Sequence, residues 1–67
     1  MITPTPEQKQ LLLELITLND YDVSTQLSWK LLMRDIPKLR MYVETYRSKE
    51  KGMVYKPCLQ LIYFLEG

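Results

Sequence analysis

The chain has 67 residues, of which 46% are hydrophobic, and a formal net charge of +1. This length predicts one domain, residues 1–67, and the apolar content excludes a disordered chain. A single cysteine, Cys58, and the absence of histidine exclude an intramolecular disulfide, a structural zinc site and imidazole catalysis, so we expect no cofactor, no small-molecule substrate and no enzymatic activity.

The N-terminal sequence MITPTPEQ lacks the basic start and the apolar core of a signal peptide. No apolar run approaches the ~18 residues that suggest a membrane span. We therefore expect a cytoplasmic protein that does not associate with membranes. Residues 1–4 precede the first helix signals and are expected to be disordered.

The first helix is predicted to follow Thr5, because Pro6 suits the first helical position and Gln8 completes a capping box. An apolar stripe at helical spacing comprises Leu11, Leu12, Leu15, Ile16 and Leu18. The helix should end near Asn19.

The stretch NDYDVST predicts a turn, with Asp22 or Ser24 as the next helix cap. The segment STQLSWKLLMRD then predicts a short helix that ends before Pro37. Its inward side chains are predicted to be Leu27, Leu31 and either Trp29 or Leu32. Lys30 and Arg34 are expected to point outward.

A third helix is predicted over residues 36–50, capped by Asp35 and closed by Gly52. Its buried face would comprise Ile36, Leu39, Val43 and Tyr46. The following MVYK segment fits either a strand or an extended linker. From Pro57, the segment PCLQLIYFLEG favours a last helix over a strand, with Cys58, Leu61, Ile62 and Leu65 aligned.

These elements predict an all-α fold: a compact domain of three or four helices with a helix-turn-helix-like pair, and room for a short β wing near Gly52. With the extended GMVYK segment and a terminal helix, the layout resembles the small winged DNA readers of excisionases and other mobile-element regulators. That resemblance implies DNA binding with helix 36–50 as the reader.

Charge is distributed unevenly along the chain. Residues 1–29 carry one basic and four acidic residues, whereas residues 30–56 carry eight basic and three acidic residues, a net charge of +5. Such asymmetry on a nearly neutral protein is typical of a surface that faces phosphate. The sequence thus predicts a small DNA-binding regulator of transcription or of a mobile element, of the phage or plasmid kind. Plain solvation of a charged helix face is the alternative explanation.

The predicted DNA contacts form two sets. Those facing base edges are Lys38, Arg40, Met41 and Thr45, of which Arg40 could bind guanine bidentately. Those meeting phosphates are Lys30, Arg34, Arg47, Lys49, Lys51 and Lys56.

The alternative function is a helical adaptor or inhibitor that binds a larger protein through an exposed aromatic surface. The residues predicted for that interface are Trp29, Leu59, Tyr63 and Phe64. The C-terminal part of this surface would also serve a homodimer, which we expect for the DNA-binding regulator.

Overall fold

The computed structural model describes residues 3–66. In chain order its elements are α1 (Pro6–Leu18), α2 (Val23–Asp35), a 3-10 helix (Pro37–Tyr42), strands β1 (Val43–Ser48) and β2 (Gly52–Pro57), and α3 (Gln60–Glu66). The disorder expected at the N-terminus includes residues 1 and 2, which lie outside the described residues.

Helix α1 is confirmed, together with its capping box. The Thr5 hydroxyl accepts a hydrogen bond from the Gln8 amide at 3.1 Å, and the Gln8 side-chain oxygen accepts one from the Thr5 amide at 2.9 Å. The helix ends at Asn19, whose φ of 47° places it in the left-handed region that terminates helices. Local signals alone are sufficient to define this element.

Helix α2 is also confirmed, but its orientation was predicted only in part. Trp29 and Leu32 are both buried, as expected, whereas Leu27 and Leu31 are 54% and 50% exposed, so the prediction that they point inward is wrong. Asp22 occupies the N-cap position. The buried stripe instead includes Thr25, Trp29 and Leu32. Because these three residues face the core, Leu27 and Leu31 point away from it.

The predicted all-α fold class is wrong, because residues 43–57 form an antiparallel β-hairpin and the fold is mixed α/β. The predicted helix 36–50 therefore does not exist. Its first part is the 3-10 helix, and Val43 pairs with Pro57 at the open end of the hairpin while Ser48 pairs with Gly52 at the turn. The sequence YVETY is rich in β-branched and aromatic residues, which favour a strand once MVYK supplies a partner.

The hairpin turn is a three-residue loop at residues 49–51. The Ser48 hydroxyl accepts hydrogen bonds from the amides of Glu50 and Lys51, each at 3.3 Å. Gly52 then adopts a φ of 72°, which only glycine adopts without strain. The loop composition thus predicts a turn better than it predicts a helix end.

The core lies between the helices, where buried side chains of α1, α2, the 3-10 helix and α3 form one cluster, and α3 contacts the 3-10 helix. The C-terminal helix is confirmed, although it begins at Gln60 and Pro57 belongs to β2. The buried cluster comprises Leu12, Leu15, Trp29, Leu32, Met33, Ile36, Leu39, Leu61 and Leu65. The hairpin contributes buried Val54, and Val43 and Tyr55 pack against the cluster, whereas most of its other side chains are exposed.

We predict that Gly52→Ala lowers the free energy of unfolding by about 1 kcal/mol, because an alanine is strained at positive φ. Nothing lies within 4 Å of the added Cβ, so the effect is confined to the backbone. Gly52→Asn should lower the free energy of unfolding by less than Gly52→Ala, since asparagine tolerates the left-handed region. Urea denaturation of the three proteins measures the order, and equal stability of all three would contradict this turn geometry.

Candidate nucleic-acid interface

A groove of about 770 Å³ runs between α2 and the hairpin. One wall is α2, the other is β2, and the turn before α2 closes one end. The lining residues are Tyr21, Val23, Gln26, Leu27, Lys30, Thr45, Lys51, Met53, Val54 and Tyr55. The exposed side of α2 therefore faces the hairpin across an open cleft.

Two shallower depressions extend this groove. One shares Lys30 and Tyr55 with it and adds Arg40, and the other shares Met53 and adds Arg47 and Lys49. The groove shares lining residues with each of the two depressions, and we call the three together the cationic surface. Its basic residues are Lys30, Arg40, Arg47, Lys49 and Lys51.

Among residues 3–66, no acidic residue lines any of the three depressions that make up the cationic surface. Within residues 3–66 the one salt bridge joins Lys51 Nζ to Asp22 Oδ1 at 3.3 Å. Both side chains are substantially exposed, so this pair contributes little to stability and is easily exchanged for another partner. The positive charge of the surface is thus largely uncompensated.

The side chain of Gln26 joins α2 to the hairpin. Its amide oxygen accepts a hydrogen bond from the Tyr55 backbone N–H at 2.6 Å, and its amide nitrogen donates to the Tyr55 carbonyl at 3.3 Å. In an antiparallel strand the N–H and C=O of one residue point to the same side, so Tyr55 presents both groups away from β1. Gln26 therefore satisfies part of the free edge of β2 and sets the position of the hairpin relative to α2.

Asp20 orders the turn that precedes α2. Its Oδ1 atom accepts hydrogen bonds from the Thr25 hydroxyl at 2.7 Å and from the Asp22 amide at 3.3 Å. The Tyr21 ring stacks on Tyr46 of β1, with the ring centroids 5.9 Å apart. The turn that precedes α2 is thus in contact with the first strand.

The structure brings six of the ten predicted DNA-contacting residues to the cationic surface: Lys30, Arg40, Thr45, Arg47, Lys49 and Lys51. Arg34 and Met41 are exposed but do not line it. The Nζ atom of Lys38 lies 5.9 Å from the centroid of the Phe64 ring, and the Nζ atom of Lys56 lies 5.8 Å from the centroid of the Tyr46 ring.

The predicted base-reading set does not share one helix, because Lys38, Arg40 and Met41 lie on the 3-10 helix and Thr45 lies on β1. The prediction that all four residues lie on a single helical face is therefore wrong. The 3-10 helix is also short, with six residues. The one long helix that reaches the cationic surface is α2.

The predicted protein interface is divided by the fold. Trp29 is 1% exposed and belongs to the core, so it is inaccessible to a partner. Phe64 is half-buried and stacks on Tyr42, with the ring centroids 4.7 Å apart. Leu59 and Tyr63, by contrast, are 82% and 72% exposed.

Apart from Thr45, sequence reasoning missed the uncharged residues of the cationic surface, above all Val23, Gln26, Leu27 and Met53. No local pattern indicates the contact of Gln26 with Tyr55, because the two residues are 29 positions apart. The signal that could have found Leu27 is the spacing of Thr25, Trp29 and Leu32. A buried stripe through those three leaves Leu27 on the exposed side.

The described residues also bear on metal binding, thiol chemistry and membrane insertion. Among the described residues, no three potential metal-binding side chains lie together. Partial burial raises the pKa of the Cys58 thiol, and the charge of Glu44 raises it further, so the thiol is protonated at neutral pH and is a weak nucleophile. None of the helices over residues 3–66 has the length and apolar character needed to cross a bilayer.

Comparison of the chain with protein-family models, with curated proteins and with solved structures found no match. The function is therefore inferred from the geometry and charge of the site.

We predict that Gln26→Ala lowers the free energy of unfolding by about 1–2 kcal/mol, because two hydrogen bonds are lost and the Tyr55 backbone groups are left without those partners. Hydrogen exchange at the Tyr55 amide should accelerate more than exchange in α1. Gln10→Ala is the matched control, since Gln10 is exposed on α1. Equal stability of the two variants, with unchanged exchange at Tyr55, would show that Gln26 does not position the hairpin.

Proposed function

We propose that this chain is a small DNA-binding regulator of transcription or of a mobile element, acting in the cytoplasm. In this proposal α2 lies against base edges in the major groove, and the hairpin and the 3-10 helix contact the phosphate backbone. The reader is thus α2, residues 23–35, in place of the predicted helix 36–50. The order helix, turn, helix, hairpin, helix supports this arrangement as a small winged reader.

The observation that carries the proposal is the cationic surface itself. It places Lys30, Arg40, Lys51 and two further basic residues beside the exposed face of α2, with no carboxylate among the described lining residues. A polyanion is the partner that such a surface attracts, because association releases the counterions condensed on the phosphates. An ordinary solvated face would be expected to interleave acidic residues with the basic ones.

The dimensions of the protein fit one turn of duplex DNA. Helix α2 has 13 residues, which correspond to a rod about 20 Å long. An α-helix fits the B-DNA major groove, which is about 12 Å wide. The Cα atoms extend 34 Å along the longest axis, so one copy would cover a single half-site, and the expected homodimer would cover two.

The residues divide into two roles under this proposal. Lys30, Lys49 and Lys51 contact phosphates, as was predicted from the sequence, and we assign Arg40 to the same role because it lies on the 3-10 helix. The exposed side chains of α2 are the ones available to base edges. Arg47 and Lys49, near the hairpin tip, would contact the backbone beside the groove that α2 occupies.

A second candidate function uses a different surface. Leu59, Ile62 and Tyr63 are 82%, 43% and 72% exposed at the end of the chain, which is typical of a contact with another protein. This arrangement supports either a helical adaptor or inhibitor that binds a larger partner, or the homodimer contact of a regulator. Association through this apolar patch would depend little on salt and would be lost in Tyr63→Ala.

We predict that DNA binding by the wild-type chain weakens steeply with salt. The logarithm of the association constant should fall with the logarithm of salt concentration with a slope between about −3 and −5, since each phosphate contact contributes about −0.9 and the surface has five basic residues. Fluorescence anisotropy with a labelled duplex measures this slope.

Lys49→Ala should lower the affinity for all duplexes alike and reduce the magnitude of the slope by about 0.9. Lys9→Ala is the matched control, because it removes the same charge from an exposed position on α1 that does not line the cationic surface. A slope near zero would contradict the proposal. So would an equal effect of the two lysine substitutions.

A further inference from the structure

The exposed face of α2 carries an apolar stripe. Val23, Leu27 and Leu31 follow one another at four-residue spacing and are 86%, 54% and 50% exposed. Residues four apart lie on one side of a helix, so the three side chains form a continuous ridge. Val23 and Leu27 also line the groove between α2 and the hairpin. This ridge is not part of the core, and its exposure needs a functional explanation.

Three of the four polar side chains over residues 23–28 of α2 are hydrogen-bonded within the protein, and Ser24 is the exception. Gln26 is bound to the Tyr55 backbone through both of its amide atoms, in the bidentate manner by which a glutamine would otherwise bind adenine. The Thr25 hydroxyl donates to Asp20, and the Ser28 hydroxyl donates to the Ser24 carbonyl. What α2 offers beside the groove is mainly aliphatic surface, with Lys30 one turn further along.

The charge around this ridge indicates what covers it. The lining residues of the groove combine Val23, Leu27 and Met53 with Lys30 and Lys51, and include no carboxylate. A second copy bound symmetrically through this face would bring the same lysines together, and like charges would repel. The complementary partner is an anionic molecule that projects apolar groups. Duplex DNA has that chemistry in its major groove, where the thymine C5-methyl is the apolar group among the base edges.

We propose that Val23 and Leu27 read thymine methyl groups in the major groove, so that the preferred site is specified by apolar contacts rather than by bidentate hydrogen bonds. This inference rests on the proposed DNA-binding function. It replaces guanine recognition by Arg40, which was predicted from the sequence, and it gives Gln26 a positioning role in place of a reading role.

The test begins with duplexes selected from a random pool by the full-length chain at a salt concentration that suppresses non-specific binding. Each thymidine of the selected duplex is then replaced by deoxyuridine, which removes the C5-methyl and leaves every base-pair hydrogen bond unchanged. The affinity should fall about four-fold for each methyl buried, and about fifteen-fold for two. Minor-groove contacts are unaffected by the exchange, so the loss would report the major groove.

Substitutions in α2 test whether this helix makes the methyl contacts. Leu27→Ala should lower the affinity for the thymidine duplex and reduce the discrimination between thymidine and deoxyuridine. Val23→Ala should reduce the same discrimination at other thymidines of the site. Leu13→Ala is the matched control, because Leu13 is 41% exposed on α1 and lies outside the cationic surface. Both Leu27 and Val23 are exposed, so neither variant is expected to unfold the protein.

The outcomes separate the two proposals. Salt-sensitive binding with equal affinity for both duplexes, or a selected site without thymine, would overturn methyl reading and leave DNA binding intact. Failure of the wild type to bind any duplex would overturn both. Sedimentation that showed a dimer dissociated by Leu27→Ala would also overturn methyl reading, because the ridge would then be covered by a second copy.

Discussion

The contact between the Gln26 side chain and the Tyr55 backbone is the interaction on which the rest of the surface depends. An isolated two-stranded hairpin is marginally stable, and most of this hairpin lies outside the helical core. Gln26 joins the free edge of β2 to α2 through two hydrogen bonds. Buried Val54 and the stacking of Tyr21 on Tyr46 add further contacts between the hairpin and the rest of the fold. Together these contacts hold the basic hairpin turn beside the exposed face of α2.

The parts of the fold that depend on neighbouring residues could be predicted from the sequence. The capping box at Thr5 and the left-handed Asn19 define α1, and Pro37 ends α2. Residues 36–50 could not be predicted in this way, because a strand needs a partner strand and helical spacing of Ile36, Leu39 and Val43 arose by coincidence. The β-branched and aromatic residues around Val43 were the available signal for a strand.

The candidate site shows the same division. Its basic residues are visible in the uneven charge of the chain, and most of them converge on one surface. Its uncharged residues depend on how the hairpin packs against α2, which is a long-range property. Leu27 and Leu31 were expected in the core, yet Trp29 and Leu32 fill that space, and the two leucines remain on the outer face. Leu27 is thus both a residue that local reasoning placed wrongly and one for which a partner is proposed.

We propose that α2 and the hairpin act together as one polyanion-binding surface. Titration of the ¹⁵N-labelled chain with a selected duplex, followed by backbone amide chemical shifts, identifies the residues that meet the duplex. We predict that the largest shifts cluster at residues 23–31 of α2 and at residues 47–53 of the hairpin, while α1 changes little. Shifts concentrated at residues 59–63, or no shifts at moderate salt, would contradict a binding surface made of α2 and the hairpin.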